Sequence, residues 1–231
     1  MQIIDHDHPI YRKRWSGLGT DRFNGAYYYS REIVENIIPK INTDRNWITM
    51  NIRGVGIDHS VMFVHNNKRP RSYDWLKRYD DLILVCGVPH TAEMVSHLGR
   101  SIYLPLSVDV EYVKQFKRRR TRDAAFVGRL SKATYGTLPD GIEYLHSMER
   151  DDLLAEMAKY KRVYAVGRTA IEAKILGAEV LPYDSRFPDP RVWKVIDNSE
   201  AAVILQQKLD KIEQEAEGGY QWLYDPKDFE I

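Results

Sequence analysis

The segment Arg162-Val163-Tyr164-Ala165-Val166-Gly167-Arg168-Thr169-Ala170-Ile171-Glu172-Ala173-Lys174-Ile175-Leu176-Gly177-Ala178-Glu179-Val180-Leu181 reads as strand, tight turn, helix and strand. A short apolar run ends at Gly167, a helix opens at Thr169 and stops at Gly177, and a second apolar run starts at Val180. A strand feeding a helix N-terminus aims backbone N–H groups and the positive end of the helix dipole at one spot, which suits a phosphate. Arg168 adds a cation beside that spot, and Glu172, one turn in, is spaced to accept bonds from sugar hydroxyls. The same residues also spell a capping box, with Thr169 as N-cap and Glu172 folding back onto its amide. Taken alone, the segment leaves both readings open.

Outward from this segment the chain alternates strand and helix signals. Ile3-Ile4, Trp47 to Ile52, Val61 to Val64, Leu82 to Val85 and Ile102 to Leu104 read as strands. Helices are expected over Tyr27 to Ile38, Tyr73 to Tyr79 and Thr91 to Leu98. The charge run Lys114 to Arg122 reads as a linker, after which the pattern restarts. Ala124 to Val127 and Ile142 to Leu145 are strands, Asp151 to Tyr160 is a helix, and a last helix spans about Ser199 to Glu215. Such alternation predicts parallel sheets covered by helices, here an α/β chain of two Rossmann-like lobes, 1–118 and 119–231, facing a cleft at the carboxyl ends of their strands.

Composition sets outer limits. The chain has 231 residues, 43% of them hydrophobic, enough for one large domain or two small ones. No apolar run approaches membrane-spanning length, and the N-terminus lacks a charged region followed by an apolar one, so a soluble, cytoplasmic protein is expected. The single cysteine, Cys86, excludes an internal disulfide and a cysteine-cluster zinc site, and its apolar surroundings predict a core residue. The net charge of +1 hides an asymmetry: Met1 to Arg122 carries 20 Lys and Arg against 13 Asp and Glu, or +7, and the remainder carries 14 against 20, or −6. Opposite-signed halves predict different ligands, the first half preferring something anionic.

Several motifs in the expected order are similar to those of GT-B glycosyltransferases. Phe126-Val127-Gly128-Arg129-Leu130-Ser131-Lys132 resembles the glycine loop with basic residues that grip the donor diphosphate. Gly167 to Ala173, closed by Gly177, resembles the signature helix whose glutamate binds the ribose. Tyr144-Leu145-His146-Ser147-Met148 matches the segment framing the nucleobase, and Val64-His65-Asn66 matches a strand-end histidine of the first lobe. Tyr103 to Asp109 resembles the segment crossing between the lobes. Tyr164 stands where retaining members often carry a second glutamate, so the stereochemical course stays open.

The resemblance implies transfer of a sugar from a nucleoside-diphosphate sugar, such as a UDP sugar, to a hydroxyl acceptor, with no metal or other cofactor. Gly128, Arg129, Lys132, Arg168 and Thr169 would hold the diphosphate, Glu172 the ribose, and His146, Ser147 and Met148 the base. His65, Asp21 and Asp58 are the candidates for catalysis, and the loop Asp5-His6-Asp7-His8 is a polar segment able to hold a base. Arg118, Arg119 and Arg120, with the basic clusters at 12–14 and 68–71, point to a polyanionic acceptor, with a hydroxylated base in DNA as the leading guess. A teichoic-type polymer or an anionic membrane surface follows. A nucleotide or nucleotide-sugar binding protein without catalysis, and a nucleic-acid-interacting module, are the competing classes. Oligomeric state is not legible in the chain.

Overall fold

The computed structural model describes residues 1–9, 25–50, 55–64, 70–128, 138–184 and 189–216. The chain forms two compact units: one takes Ala26–Pro105 with the opening residues and the segment from Ser199 onward, the other takes Leu106–Asn198.

In the first unit, β1 (Ile3–Ile4), β2 (Asn46–Ile48), β3 (Ser60–Val64), β4 (Leu82–Cys86) and β5 (Arg100–Tyr103) lie side by side in that order, all parallel. Between β1 and β2 runs α1 (Gly25–Glu32), which widens into a π-turn over Ile33–Ile37 and tightens into a 3₁₀ turn over Ile38–Lys40. A 3₁₀ segment over Pro70–Arg78 precedes β4, and α2 (Pro89–Val95) precedes β5. Every residue of β3 and β4 is buried. Their near-continuous apolar runs are what a parallel strand covered on both faces requires.

Side chains alternate across such a sheet. Ile4, Ile48, Met62 and Leu84 form one cross-strand row, and Tyr73, Leu76, Ala92 and Val95 pack on that side. Phe63 faces the other way, 6.3 Å from the ring of Trp47 and 6.3 Å, edge-on, from Tyr29 of α1.

The second unit holds β6 (Ser107–Val108), α3 (Val110–Lys114), β7 (Arg122–Val127), β8 (Glu143–Leu145), α4 (Arg150–Met157), β9 (Tyr160–Tyr164), α5 (Arg168–Ile175), β10 (Glu179–Leu181) and β11 (Ile196–Asp197). Its main sheet has the order β10-β9-β7-β8, all parallel, while β6 and β11 pair separately. Ala125, Val127, Val163 and Val180 pack with Leu154, Met157, Ala170, Ile171 and Ala173 of α4 and α5 in the main core. On the opposite face Phe126 gathers Val166 and Tyr183.

The last helix, α6 (Asn198–Ala216), returns the chain to the first unit. Ala202, Leu205, Leu209 and Ile212 form its buried stripe. Residues one heptad apart meet the segment before β2: Lys40 Nζ donates to Ser199 Oγ (2.6 Å), Asn42 N to Gln206 Oε1 (2.6 Å) and Arg45 Nε to Glu213 Oε1 (2.6 Å).

Both units are parallel α/β and Rossmann-like in build, as the alternation predicts, but details differ. The boundary falls after Pro105 rather than at 118, because Leu106, Val108, Val110, Tyr112, Val113 and Phe116 belong to the second core. The charge run from Lys114 is therefore no linker; it ends α3 and leads into β7, where Thr121 N and Arg122 N both donate to Lys159 O (2.8 and 3.0 Å). The helix expected through Tyr160 stops at Met157, because Tyr160 opens β9. The second strand ends at Ile48 instead of Ile52, and the helix at Tyr73 to Tyr79 is 3₁₀.

Candidate functional site

Strand order places the candidate site. In the second sheet β8 lies on one side of β7, and β9 and β10 on the other, so the winding reverses between β7 and β9. In open parallel sheets, ligands bind at the carboxyl ends of strands beside such a reversal. The two segments that the sequence singles out converge there: Gly128 follows β7, and the turn Ala165-Val166-Gly167 follows β9 and opens α5. The first sheet, among its described strands, runs in chain order without a reversal.

Gly167 makes the turn. Its φ of 65° and ψ of −146° lie in a region open to glycine and strained for other residues. Helix α5 starts at Arg168 with Gly167 as its N-cap, and no side chain caps it. The capping box, one of the two readings open from the spacing, is thus absent: Thr169 lies inside the helix, and the Glu172 carboxylate is engaged elsewhere. Arg150 Nη2 donates to Glu172 Oε1 (3.0 Å), and Arg168 Nε lies 3.2 Å from the same oxygen. All three side chains are at most 11% exposed. Two guanidinium groups thus share one carboxylate beside the positive end of α5.

The surroundings hold the trio in place. The Arg150 guanidinium lies 5.4 Å from the centre of the Tyr112 ring, and Tyr112 Oη donates to Asp151. On α5, Lys174 Nζ donates to Arg191 O (2.7 Å) and Trp193 O (2.9 Å). Burial pulls the Lys174 pKa down, against the opposing pull of Asp189. These bonds bring Trp193 to the Gly167 turn, where its ring lies 4.0 Å from the position a Cβ would take.

An aromatic row crosses the opposite face of the sheet. Tyr144, Phe126 and Tyr164 are register partners on β8, β7 and β9. Phe126 meets Tyr144 at 5.5 Å and Tyr183 edge-on at 4.9 Å, and Tyr144 stays 44% exposed. Just past β8, His146 and Ser147 are exposed, with His146 Nδ1 3.2 Å from Ser147 Oγ, whereas Met148 packs against the main core. Of the three residues expected to frame a base, two face solvent and the third is partly buried against the core.

His65, Asp21, Arg129 and Lys132 lie outside the described residues. Asp58 lies before β3, at the amino end of its sheet, where Oδ1 accepts from Asp80 N (2.8 Å) and its carbonyl accepts from Asn46 Nδ2 (3.3 Å). That placement braces a turn at the edge away from the strand carboxyl ends. Arg118, Arg119 and Arg120 are exposed, and Arg120 Nη2 donates to Leu176 O (3.4 Å).

At the carboxyl end of the first sheet, two side chains outside those candidates, and one from the polar opening loop, come together. His6, two residues past β1, has Nδ1 3.2 Å from Ser30 Oγ on α1, and Ser30 Oγ is 2.6 Å from Thr49 Oγ1 just past β2. The sequence marks His6 only as part of a polar loop; Ser30 and Thr49, far apart in the chain, carry no local signal. Arg150 escapes a sequence reading in the same way, since it sits 22 residues from Glu172. Among the described residues, no group of three or more His, Cys, Asp or Glu is placed to hold a metal ion, and no helix is long and apolar enough to cross a membrane. No protein-family model matches this chain, and no curated protein matches its sequence.

Proposed function

We propose that this chain is a GT-B-type glycosyltransferase that moves a sugar from a nucleoside-diphosphate sugar to a hydroxyl acceptor, with the donor held by the second unit. The observation that supports this most is the meeting, at the β7/β9 reversal, of Gly128, the Gly167 turn and the Arg150–Glu172–Arg168 trio. When the glycosidic bond breaks, negative charge builds on the leaving diphosphate. Fixed positive groups at a helix N-terminus stabilise that charge without rearranging. Arg168 supplies the cation, Arg150 reinforces it, and Glu172, held by both, turns its other oxygen to the ribose hydroxyls.

The acceptor in this reading is a polyanion, with a hydroxylated base in duplex DNA as the first choice. The exposed Arg118 and Arg119 of the second unit support it. Such a base must leave the duplex stack, at a cost of a few kcal/mol that phosphate contacts can offset.

The experiment is calorimetric titration of the parent and of Arg168→Ala with a panel of nucleoside diphosphates and their sugars, followed by assay for sugar loss. Loss of one charge-assisted phosphate contact should weaken binding by about 1.5–3 kcal/mol. A nucleoside diphosphate bound equally by both proteins sinks the site. Tight binding without turnover makes the chain a nucleotide-binding protein instead.

A further inference from the structure

We propose that Arg150 is a positioning residue that makes the second unit select ribonucleotides, an inference that rests on the donor-site reading above. Glu172 is the group it positions. Arg150 and Arg168 both meet Glu172 on one oxygen, Oε1, at 3.0 and 3.2 Å. No described residue bonds the other oxygen. With its side chain 8% exposed, Glu172 therefore holds an accepting oxygen, without a protein donor, in the second turn of α5.

Two helices fix the carboxylate. Arg168 lies four residues before Glu172, so that contact is internal to α5. Arg150 is the first residue of α4 and reaches Oε1 from a second element. Anchors from two elements restrict a carboxylate far more than one partner on its own helix, and a discriminating site requires such restriction.

Arg150 is held in turn. Its guanidinium lies 5.4 Å from the centre of the Tyr112 ring. Tyr112 N donates to Asp109 Oδ1 (2.8 Å), its hydroxyl donates to Asp151, and Phe116 meets its ring at 5.4 Å. Helix α3 thus supports Arg150 of α4, and Arg150 supports the carboxylate of α5, all within the second unit.

The ligand chemistry follows from the remaining oxygen. An ionised carboxylate accepts and cannot donate, so it repels a phosphate oxygen and takes a hydroxyl. Ribose carries a pair of hydroxyls near the phosphates, and dideoxyribose carries neither. Because the guanidinium contacts have already ordered the carboxylate, little freedom is lost when ribose binds. A sugar without hydroxyls leaves a nearly buried oxygen unpaired, which is how a site rejects an analogue that lacks its hydroxyl.

The test is calorimetric titration of the full chain with ADP, GDP, CDP and UDP, each beside its 2′,3′-dideoxy form, and with inorganic pyrophosphate. For the diphosphate that the parent binds best, the dideoxy form should bind about 10- to 100-fold more weakly, the scale of a charge-assisted hydrogen bond. Arg150→Met fills similar space and leaves Arg168 facing Glu172. It should bring that ratio to within about threefold of unity, while pyrophosphate, which has no ribose, binds within about threefold of the parent. Tyr112→Leu, which removes the ring from beside the guanidinium, should lower the ratio several-fold. A purely structural Arg150 would weaken all ligands alike and leave the ratio unchanged. Arg150→Gln, uncharged but still polar, has the same expected loss and serves if the methionine variant does not fold. The parent's ratio in a folded Arg150→Met or Arg150→Gln protein overturns the role of Arg150. A parent that binds a diphosphate and its dideoxy form equally overturns the ribose selectivity while leaving the phosphate site standing. A parent that binds none of these diphosphates overturns the donor-site reading, and the role of Arg150 falls with it.

Discussion

Arg150 Nη2 lies 3.0 Å from Glu172 Oε1, tying the first residue of α4 to the second turn of α5 across 22 positions of chain. Arg168 reaches the same oxygen at 3.2 Å. Removing the carboxylate leaves two buried guanidinium groups facing each other. Breaking a buried pair from one side commonly costs about 3–5 kcal/mol. Glu172→Gln, which keeps the shape, should fall near or below the lower figure. Because both cations lose this shared carboxylate, inorganic pyrophosphate should raise the melting temperature of Glu172→Gln more than that of the parent, while nucleoside diphosphate binding weakens. Equal shifts with pyrophosphate in both proteins would show that the trio is structural only.

Gly167→Ala probes the turn itself. Its φ of 65° with ψ of −146° is open to glycine, and forcing alanine into it should cost about 1–3 kcal/mol. Space is not the obstacle, since the nearest atoms to a Cβ there, in the Trp193 ring, are 4.0 Å away. A chemical-denaturation measurement that finds the variant as stable as the parent would place the strain elsewhere. Nucleotide binding should weaken as well, because the same turn aims the first turn of α5.

Much of this was legible in the chain because it is local. The strand–Gly–helix–strand order from 160 to 181 follows from apolar runs broken by Gly167 and Gly177, and β3 and β4 from their uninterrupted apolar residues. What escaped depends on contacts distant in sequence. Thr169 and Glu172 have the spacing of a capping box, yet Arg150 and Arg168 outcompete the backbone amide for the carboxylate. The run Lys114 to Arg122 has the composition of a linker, but the apolar residues just before it are drawn into the second core. Arg120 has its place there too, bonded to Leu176 O and packed against Gly177. The His6–Ser30–Thr49 group joins three segments that share no local pattern.

Arg45 anchors α6 to the first unit, and its removal should be far worse than removal of its partner. Its side chain is 2% exposed and bonds Glu213 Oε1 (2.6 Å), Asp81 O (3.0 Å) and Asp81 Oδ1 (3.1 Å). Arg45→Ala should cost about 3–5 kcal/mol, as for a broken buried pair. Glu213 is half-exposed, so Glu213→Ala should cost less than about 1 kcal/mol. Similar losses in equilibrium unfolding would contradict the asymmetry.

His59 makes the same corner pH-sensitive. Its Nδ1 lies 2.6 Å from Asp81 Oδ2 and its Nε2 3.1 Å from Asp44 Oδ1. The Asp81 bond first, and then Asp44, raise its pKa above the ordinary histidine value, against burial and the charge of Arg45. A raised pKa means that the protonated form is favoured by folding. The contribution is complete below about pH 6.5 and fades as pH rises through the raised value. Because His59 is 45% exposed, it should be worth less than about 1 kcal/mol. Asp81 acts in the opposite window: burial pushes its pKa up, but the bonds from His59 and Arg45 outweigh this and hold it below the usual carboxylate value, so its contribution fades only in acid. The stability difference between parent and His59→Gln should therefore shrink between pH 6 and pH 9. A difference that is flat over that range would mean His59 is not protonated in the folded protein.

The polyanion reading makes a distinction among three adjacent arginines. Arg118 and Arg119 are exposed, whereas the Arg120 guanidinium is held against Leu176 O and the Gly177 backbone. A duplex bound through phosphate contacts releases counterions, so its affinity falls steeply with salt. Replacing Arg118 and Arg119 with glutamate should weaken binding to duplex DNA regardless of base sequence. It should also flatten the plot of log affinity against log salt by about one unit per lost contact. Arg120→Glu should act differently, lowering stability through the lost Leu176 contact while changing the slope little. The check is a titration of the three proteins with one duplex between 50 and 200 mM salt, beside their unfolding curves. Binding indifferent to salt, or equal slopes in the parent and the double variant, would remove nucleic acid as the acceptor.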